Sequence, residues 1–395
     1  MHSTGPDTLT NWKDVREIVW EDSAGATPPT TRPFDHQPAK GDMNSHTAVS
    51  GVELGLDTFG DITADADGTR RSGAQTLRDL LEQAVLADEV GVDFLGVGEH
   101  HRDDYAVSAP EVVLGAIAAR TTRMRLGSAV TVLSSDDPIR VFQRFATVDA
   151  LSSGRAEVIL GRGSFTESFP LFGFDLSDYE ELFSDKLALF AELRTGRPVS
   201  WSGSTRGPLQ AQEVYPELEN PPLPTWIAVG GSPESVVRAA SYGLPLMLAI
   251  IGGDPLRFQP YVDLYHRALR EMDKSPLPVG VHSPGHVAET DAQARDELWP
   301  HYREYVGRIG RERGWPPPTH IEFERSTGPG GSLYVGSPET VARKIASTVR
   351  ALGVSRFDLK YSHGTLGHAE LMRSIELYGT QVIPRVRELL SAESG

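Results

Sequence analysis

Short apolar runs alternate along this chain with longer amphipathic stretches, and that alternation predicts its fold. Runs at Val52–Asp57, Phe94–Gly98, Met124–Leu133, Ala156–Leu160, Trp226–Gly230, Leu246–Ile250, Val279–His282 and Phe357–Tyr361 read as strands. Helical patterns follow them at Thr76–Val90, Ala109–Arg120, Pro138–Leu151, Asp178–Arg194, Pro233–Tyr242, Pro255–Met272 and Ala292–Arg313. Another spans Pro338–Leu352, and a last one runs from about His368 to Leu390. Eight strands alternating with helices match an α/β fold of the (β/α)8 TIM-barrel kind. A doubly wound sheet is the rival. It requires a glycine-rich dinucleotide fingerprint after the first strand, where this chain instead runs from Gly60-Asp61-Ile62 into the acidic Asp65–Asp67.

Three regions break the alternation. Residues 1–50 are rich in Gly, Pro, Ser, Thr and charge, and read as a flexible or surface-wrapping extension with Val15–Trp20 as a short docking segment. The barrel domain is expected over 51–395. Within it, 196–225 carries Pro198, Pro208, Pro216 and the Pro221-Pro222-Leu223-Pro224 cluster. The stretch 314–337 carries Trp315, three prolines and Gly328-Pro329-Gly330-Gly331. Both read as excursions from the barrel, either lids or plain surface insertions.

Composition narrows the chemistry. A formal charge of −16 disfavours non-specific binding to nucleic acid or anionic membranes. The chain has no cysteine, which excludes disulfides, thiolate metal sites and cysteine nucleophiles. No apolar run is long enough to span a bilayer, and the first residues lack the order of a signal peptide, so a cytoplasmic location is expected.

The candidate chemistry sits at the carboxyl ends of predicted strands, where parallel barrels bind ligands. Strand two ends in Gly98-Glu99-His100-His101. A histidine there can exchange a proton near neutral pH and a glutamate can orient it, although either histidine could be structural. The pair lacks the spacing of a metal site. Strand four ends in Gly161-Arg162-Gly163, where five planar donors suit a phosphate and also suit a structural ion pair. After strand five, Gly230-Gly231-Ser232-Pro233-Glu234-Ser235 sets Ser232 as an N-cap ahead of Pro233. Its free amides and hydroxyls could receive phosphate. Yet Ser337-Pro338-Glu339 shows the same helix start elsewhere in this chain.

These blocks, in this order, resemble the bacterial luciferase-like, flavin-dependent monooxygenase family. They are Gly98-Glu99-His100-His101, Gly127-Ser128-Ala129-Val130-Thr131-Val132-Leu133, Ser153-Gly154-Arg155 before Gly161-Arg162-Gly163, and the run from Pro224 to Ser232 with Ser235 one turn on. The resemblance implies a barrel binding reduced FMN and using O2 to oxidise a small organic substrate through a C4a-peroxyflavin. It implies His100 as the catalytic histidine. Arg162, Gly230, Gly231, Ser232 and Ser235 would hold the FMN phosphate, and a cis peptide at Ala129–Val130 would lie beneath the ring. It further implies a separate NAD(P)H-dependent flavin reductase and a homodimer. Gly161 replaces the reactive cysteine of luciferase and Gly231 a glutamate, so light emission is not expected. Phe59, His101 and Phe165 are the expected substrate-pocket residues. A deazaflavin (F420) oxidoreductase and a non-catalytic flavin-binding barrel remain the alternatives.

Overall fold

The computed structural model describes residues 51–163 and 165–392. The extension expected over 1–50 lies outside them. Eight parallel strands close into a barrel: β1 (Glu53–Thr58), β2 (Phe94–Val97), β3 (Arg125–Ser128), β4 (Ala156–Gly161), β5 (Thr225–Val229), β6 (Leu246–Ala249), β7 (Val279–Val287) and β8 (Arg356–Lys360). Each pairs in parallel with its successor, and β8 returns to β1 in the register Asp57↔Lys360. The architecture is a (β/α)8 TIM barrel.

The surrounding helices are α1 (Gly73–Glu89), α2 (Pro110–Ala118), α3 (Pro138–Ser152), α4 (Tyr179–Leu193), α5 (Pro233–Tyr242), α6 (Gln259–Glu271), α7 (Asp291–Arg313), α8 (Pro338–Leu352) and α9 (His368–Leu377). Side-chain caps start several of them. Asp137 accepts from two amides of α3, Ser232 from Ser235 N on α5, and Thr290 from Gln293 N on α7. Each such cap is worth about 1 kcal/mol. Among the described residues no helix is long and apolar enough to cross a membrane.

Two expected elements are divided. The run Met124–Leu133 is not one strand: β3 ends at Ser128, the Ala129–Val130 peptide is cis, and Thr131–Val132 resumes pairing with the end of β4. The final helix contains a π-helical turn at Tyr378–Val382 before Ile383–Ser391. Pro384 has no N–H for the carbonyl four residues earlier, so the ladder widens there. The excursion at 196–225 holds an antiparallel hairpin, Val199–Trp201 with Leu209–Gln212. The one at 314–337 holds a helix, His320–Thr327, and a strand, Tyr334–Gly336, that extends the sheet beside β7.

The barrel's base is filled by charge and rings. Arg356 of β8 is completely buried. Its guanidinium lies 3.6 Å from the Phe94 ring centroid, pairs with Glu157, and sits 2.9 Å from Asp358. Small residues make the room. A Cβ on Gly127 would meet the Phe94 ring at 2.8 Å, and one on Gly280 would meet Met247 at 2.7 Å.

Candidate active site

Inward positions alternate along each strand, so the layer above that base is built from residues two further along. On β2, β5 and β6 these are Gly96, Ala228 and Ala249, all small, and Ala129 stands directly after β3. On β1 and β7 they are Asp57 and His282, and on β8 Lys360 stands two positions beyond Asp358 of the base. The mouth is therefore lopsided, with a low floor on one side and a polar wall on the other.

The cis peptide raises that floor from β3. A Cβ on Gly96 would approach Ala129 Cβ to 2.7 Å, one on Gly98 would strike the Ala129 carbonyl, and one on Gly161 would reach Val130 Cγ2 at 2.6 Å. Gly161 thus has a packing reason for lacking a side chain. Glu99 fixes the same bend, because its Oε1 accepts from Val132 N at 3.1 Å. The sequence suggested that Glu99 orients a histidine; it holds backbone instead. Burial, reinforced by Glu111, raises its carboxyl to about 8. The native state therefore holds a proton that the unfolded chain releases near pH 4.5, and stability falls as pH rises from there to about 8. Glu99→Gln is expected to make that slope shallower by one proton, about 1.4 kcal/mol per pH unit. Urea unfolding across that range checks it; an unchanged slope would contradict it.

His100 sits in an aromatic cage, with ring centroids at 4.4 Å to Tyr105, 4.8 Å to Phe59 and 4.9 Å to Phe165. Burial, with Lys360 and Arg102 adding to it against Asp61, lowers its pKa to about 3. The imidazole is neutral, keeping one donor and one acceptor. His101 turns elsewhere: its ring meets Phe172 edge-on at 5.1 Å, and its Nε2 is buried without a partner among the described residues. Of the expected pocket residues, Phe59 and Phe165 meet at His100 and His101 does not join them.

Arg102 closes this cage from outside. Its guanidinium stands 4.6 Å from the Phe165 ring and bonds Glu167 at 2.6 Å, Asp104 at 3.1 Å and Glu312 of α7 at 2.6 Å. The segment after β4 and the end of α7 are thereby tied over the mouth.

The polar wall was not expected as a set. His282 Nδ1 lies 2.6 Å from Asp57 Oδ2, and the Phe59 ring stacks on it at 6.1 Å. Burial opposes charge on His282, but Asp57 more than offsets this and raises its pKa. Lys360 bonds Asp61 at 3.0 Å, and Asp61 also accepts from Ser362 at 2.6 Å. The available signal was an ionisable residue near the carboxyl end of an apolar run, as at Asp57 and Lys360.

A cradle of donors flanks the low floor. Arg162 lies 5.2 Å from the Tyr179 ring centroid, and Tyr179 donates to the Gly163 carbonyl at 3.1 Å. Arg238 of α5, absent from the expected set, joins it. Gly231 takes φ +119°, a region that favours glycine, and its carbonyl accepts from Tyr261 at 2.7 Å. A Cβ on Gly230 would meet nothing within 4 Å. Ser235 is only 6% exposed, yet among the described residues its hydroxyl has no partner, and neither does the buried Arg238 Nη1. Two guanidinium groups, hydroxyls and the start of α5 fit a phosphate dianion.

A sequence profile described as luciferase-like monooxygenase matches residues 58–356, nearly the whole barrel. The chain belongs to the luciferase-like monooxygenase family. It is 28% identical to 4-hydroxyprotoasukamycin monooxygenase of Streptomyces nodosus subsp. asukaensis, over 79% of this chain and 87% of that protein. The oxygenating constituent of 3,6-diketocamphane monooxygenase from Pseudomonas putida, a type II Baeyer-Villiger monooxygenase in complex with FMN, superposes with a TM-score of 0.69. That match has 18% identity and covers 85% of this chain and 99% of the other. An F420-dependent secondary alcohol dehydrogenase superposes at TM-score 0.65 with 19% identity, covering 85% and 99%. This luciferase-like chain thus shares its barrel with users of two different cofactors.

Proposed function

We propose that this luciferase-like protein is an FMN-dependent monooxygenase that oxidises a small organic substrate with dioxygen. The observation that carries this is the pairing of an anion cradle with a low, flat floor and a neutral imidazole at one barrel mouth. Arg162, Arg238, Ser232 and Ser235 would hold the phosphate of FMN, and Gly230 and Gly231 leave space beside it. Gly96, Ala129, Val130, Ala228 and Ala249 would underlie the ring. Reduced FMN, when bound, supplies the electrons and activates dioxygen.

The chain's own groups handle everything else. His100, neutral at its site, presents one donor and one acceptor nitrogen, so it can hydrogen-bond the reacting oxygen or relay a proton by taking one at one nitrogen as it releases one from the other. Phe59, Tyr105 and Phe165 give the substrate an apolar wall and exclude water. Arg102 keeps that wall closed through its three carboxylates. His282, paired with Asp57 at 2.6 Å, offers its other ring nitrogen on the opposite side. The monooxygenase relatives, including the type II enzyme in complex with FMN, support a separate flavin reductase as supplier of reduced FMN. A cytoplasmic homodimer completes the reading. Val112 of α2 and Leu151 of α3 are apolar and 71% and 59% exposed, and would be available to a second copy.

The F420 relatives carry the second reading, a hydride-transferring oxidoreductase on the same floor. Labelled dioxygen separates the two. With reduced FMN and a panel of ketones, aldehydes and thioethers, a product holding one labelled oxygen is expected. Turnover that leaves the product unlabelled would contradict monooxygenation.

A further inference from the structure

The anion cradle is met by the protein's own carboxylates. Glu180, on the first turn of α4, accepts from Arg162 and, at 2.9 Å, from Arg238. Glu234, on the first turn of α5, accepts from the Ser232 hydroxyl at 2.6 Å. Glu180 is 58% exposed, and the two guanidinium groups hold its carboxylate. The pairing is also incomplete. Among the described residues the Ser235 hydroxyl and Arg238 Nη1, both on α5, stay buried and unpartnered. A carboxylate offers two oxygens where a terminal phosphate offers three, and the leftover donors match that difference.

We infer that Glu180, assisted by Glu234, is a built-in competitor of the phosphate subsite, so that the cofactor binds by displacing the protein's own carboxylates. The inference rests on the reading of this cradle as a phosphate site. With no anion present, Arg162 and Arg238 would face each other as like charges, and Glu180 neutralises them. A phosphate dianion then exchanges one anion for another and gains only the difference. The observed affinity is the intrinsic one reduced by the fraction of cradles that stand open. A weakened grip suits a cofactor that arrives reduced from another protein and must leave once oxidised. Glu180 would set that release without touching the reacting atoms.

The test is an equilibrium fluorescence titration with FMN, repeated with inorganic phosphate as competitor, on the wild-type chain and three variants. Glu180→Gln is expected to bind FMN roughly three- to tenfold tighter, the scale of a partly exposed ion pair shared by two arginines, with slower release. Glu180→Gln with Glu234→Gln should be at least as tight. In both variants phosphate should compete at lower concentration. Arg162→Ala is the control for the cradle and should bind FMN more weakly. If Arg162→Ala weakens binding while the glutamine variants bind as wild type or worse, the cradle stands and the competitor role is overturned. If Arg162→Ala leaves the affinity unchanged, the phosphate reading fails and the inference falls with it. Both glutamine changes lie at exposed positions, and thermal unfolding of each variant confirms that it is folded.

Discussion

Arg356→Met is expected to destabilise the barrel by about 3–5 kcal/mol, the cost of stripping a buried charge cluster of one partner. Arg356 is fully buried between Glu157 and Asp358, themselves only 1% and 2% exposed. Burial pushes the Asp358 carboxyl up to about 7, against the pull of Arg356. Without the guanidinium, Asp358 loses its counter-charge, Glu157 keeps only Arg125 at 3.2 Å, and Phe94 loses its stacked cation. Neutralising them, with Glu157→Gln and Asp358→Asn added to Arg356→Met, should recover part of the loss, because the penalty lies in unpaired charge. Urea unfolding of the three proteins measures this. A loss in Arg356→Met below about 1 kcal/mol, the scale of an exposed pair, would show that the base is not held this way.

His100→Asn is expected to lower kcat/KM by roughly 10²- to 10⁴-fold, the range for a positioned proton-transfer group. The affinity for FMN should stay within a few-fold of wild type. Asparagine keeps polar atoms inside the cage of Phe59, Tyr105 and Phe165, so collapse of those rings does not confuse the result. The imidazole titrates only near pH 3. Its protonation should therefore leave no limb near pH 6.5 in the wild-type rate profile. Steady-state kinetics from pH 5 to 8 and a binding titration separate the outcomes. Equal losses in FMN affinity and rate would make His100 a structural member of the cage.

The eight strands were legible because each is a short apolar run flanked by turns and followed by a helical pattern. The mouth was legible in part for the same reason: His100, Arg162 and Ser232 directly follow such runs. What escaped was what the closed barrel brings together. Glu157 and Arg356 are 199 positions apart, and nothing local marks them as partners. Strands buried on both faces show no period-two pattern, so Asp57 and His282 could not be assigned inward or outward from sequence. The break in the third run was carried by the family resemblance, because Ala129 and Val130 have ordinary strand composition. Arg238 and Glu180 sit within amphipathic helices, where a charged residue reads as a solvent face. His101 shared His100's motif but turns to Phe172, because adjacent residues diverge once the strand has ended.

This barrel is proposed to use reduced FMN with dioxygen. The most direct test is anaerobic titration of the purified protein with reduced FMN and, separately, reduced F420, followed by rapid mixing with oxygen under an absorbance monitor. Saturable binding of reduced FMN in preference to F420, then reoxidation slower than that of free flavin and in more than one spectral step, is the predicted result. Binding of reduced F420 but not FMN, or FMN oxidising at the free-flavin rate, would contradict it.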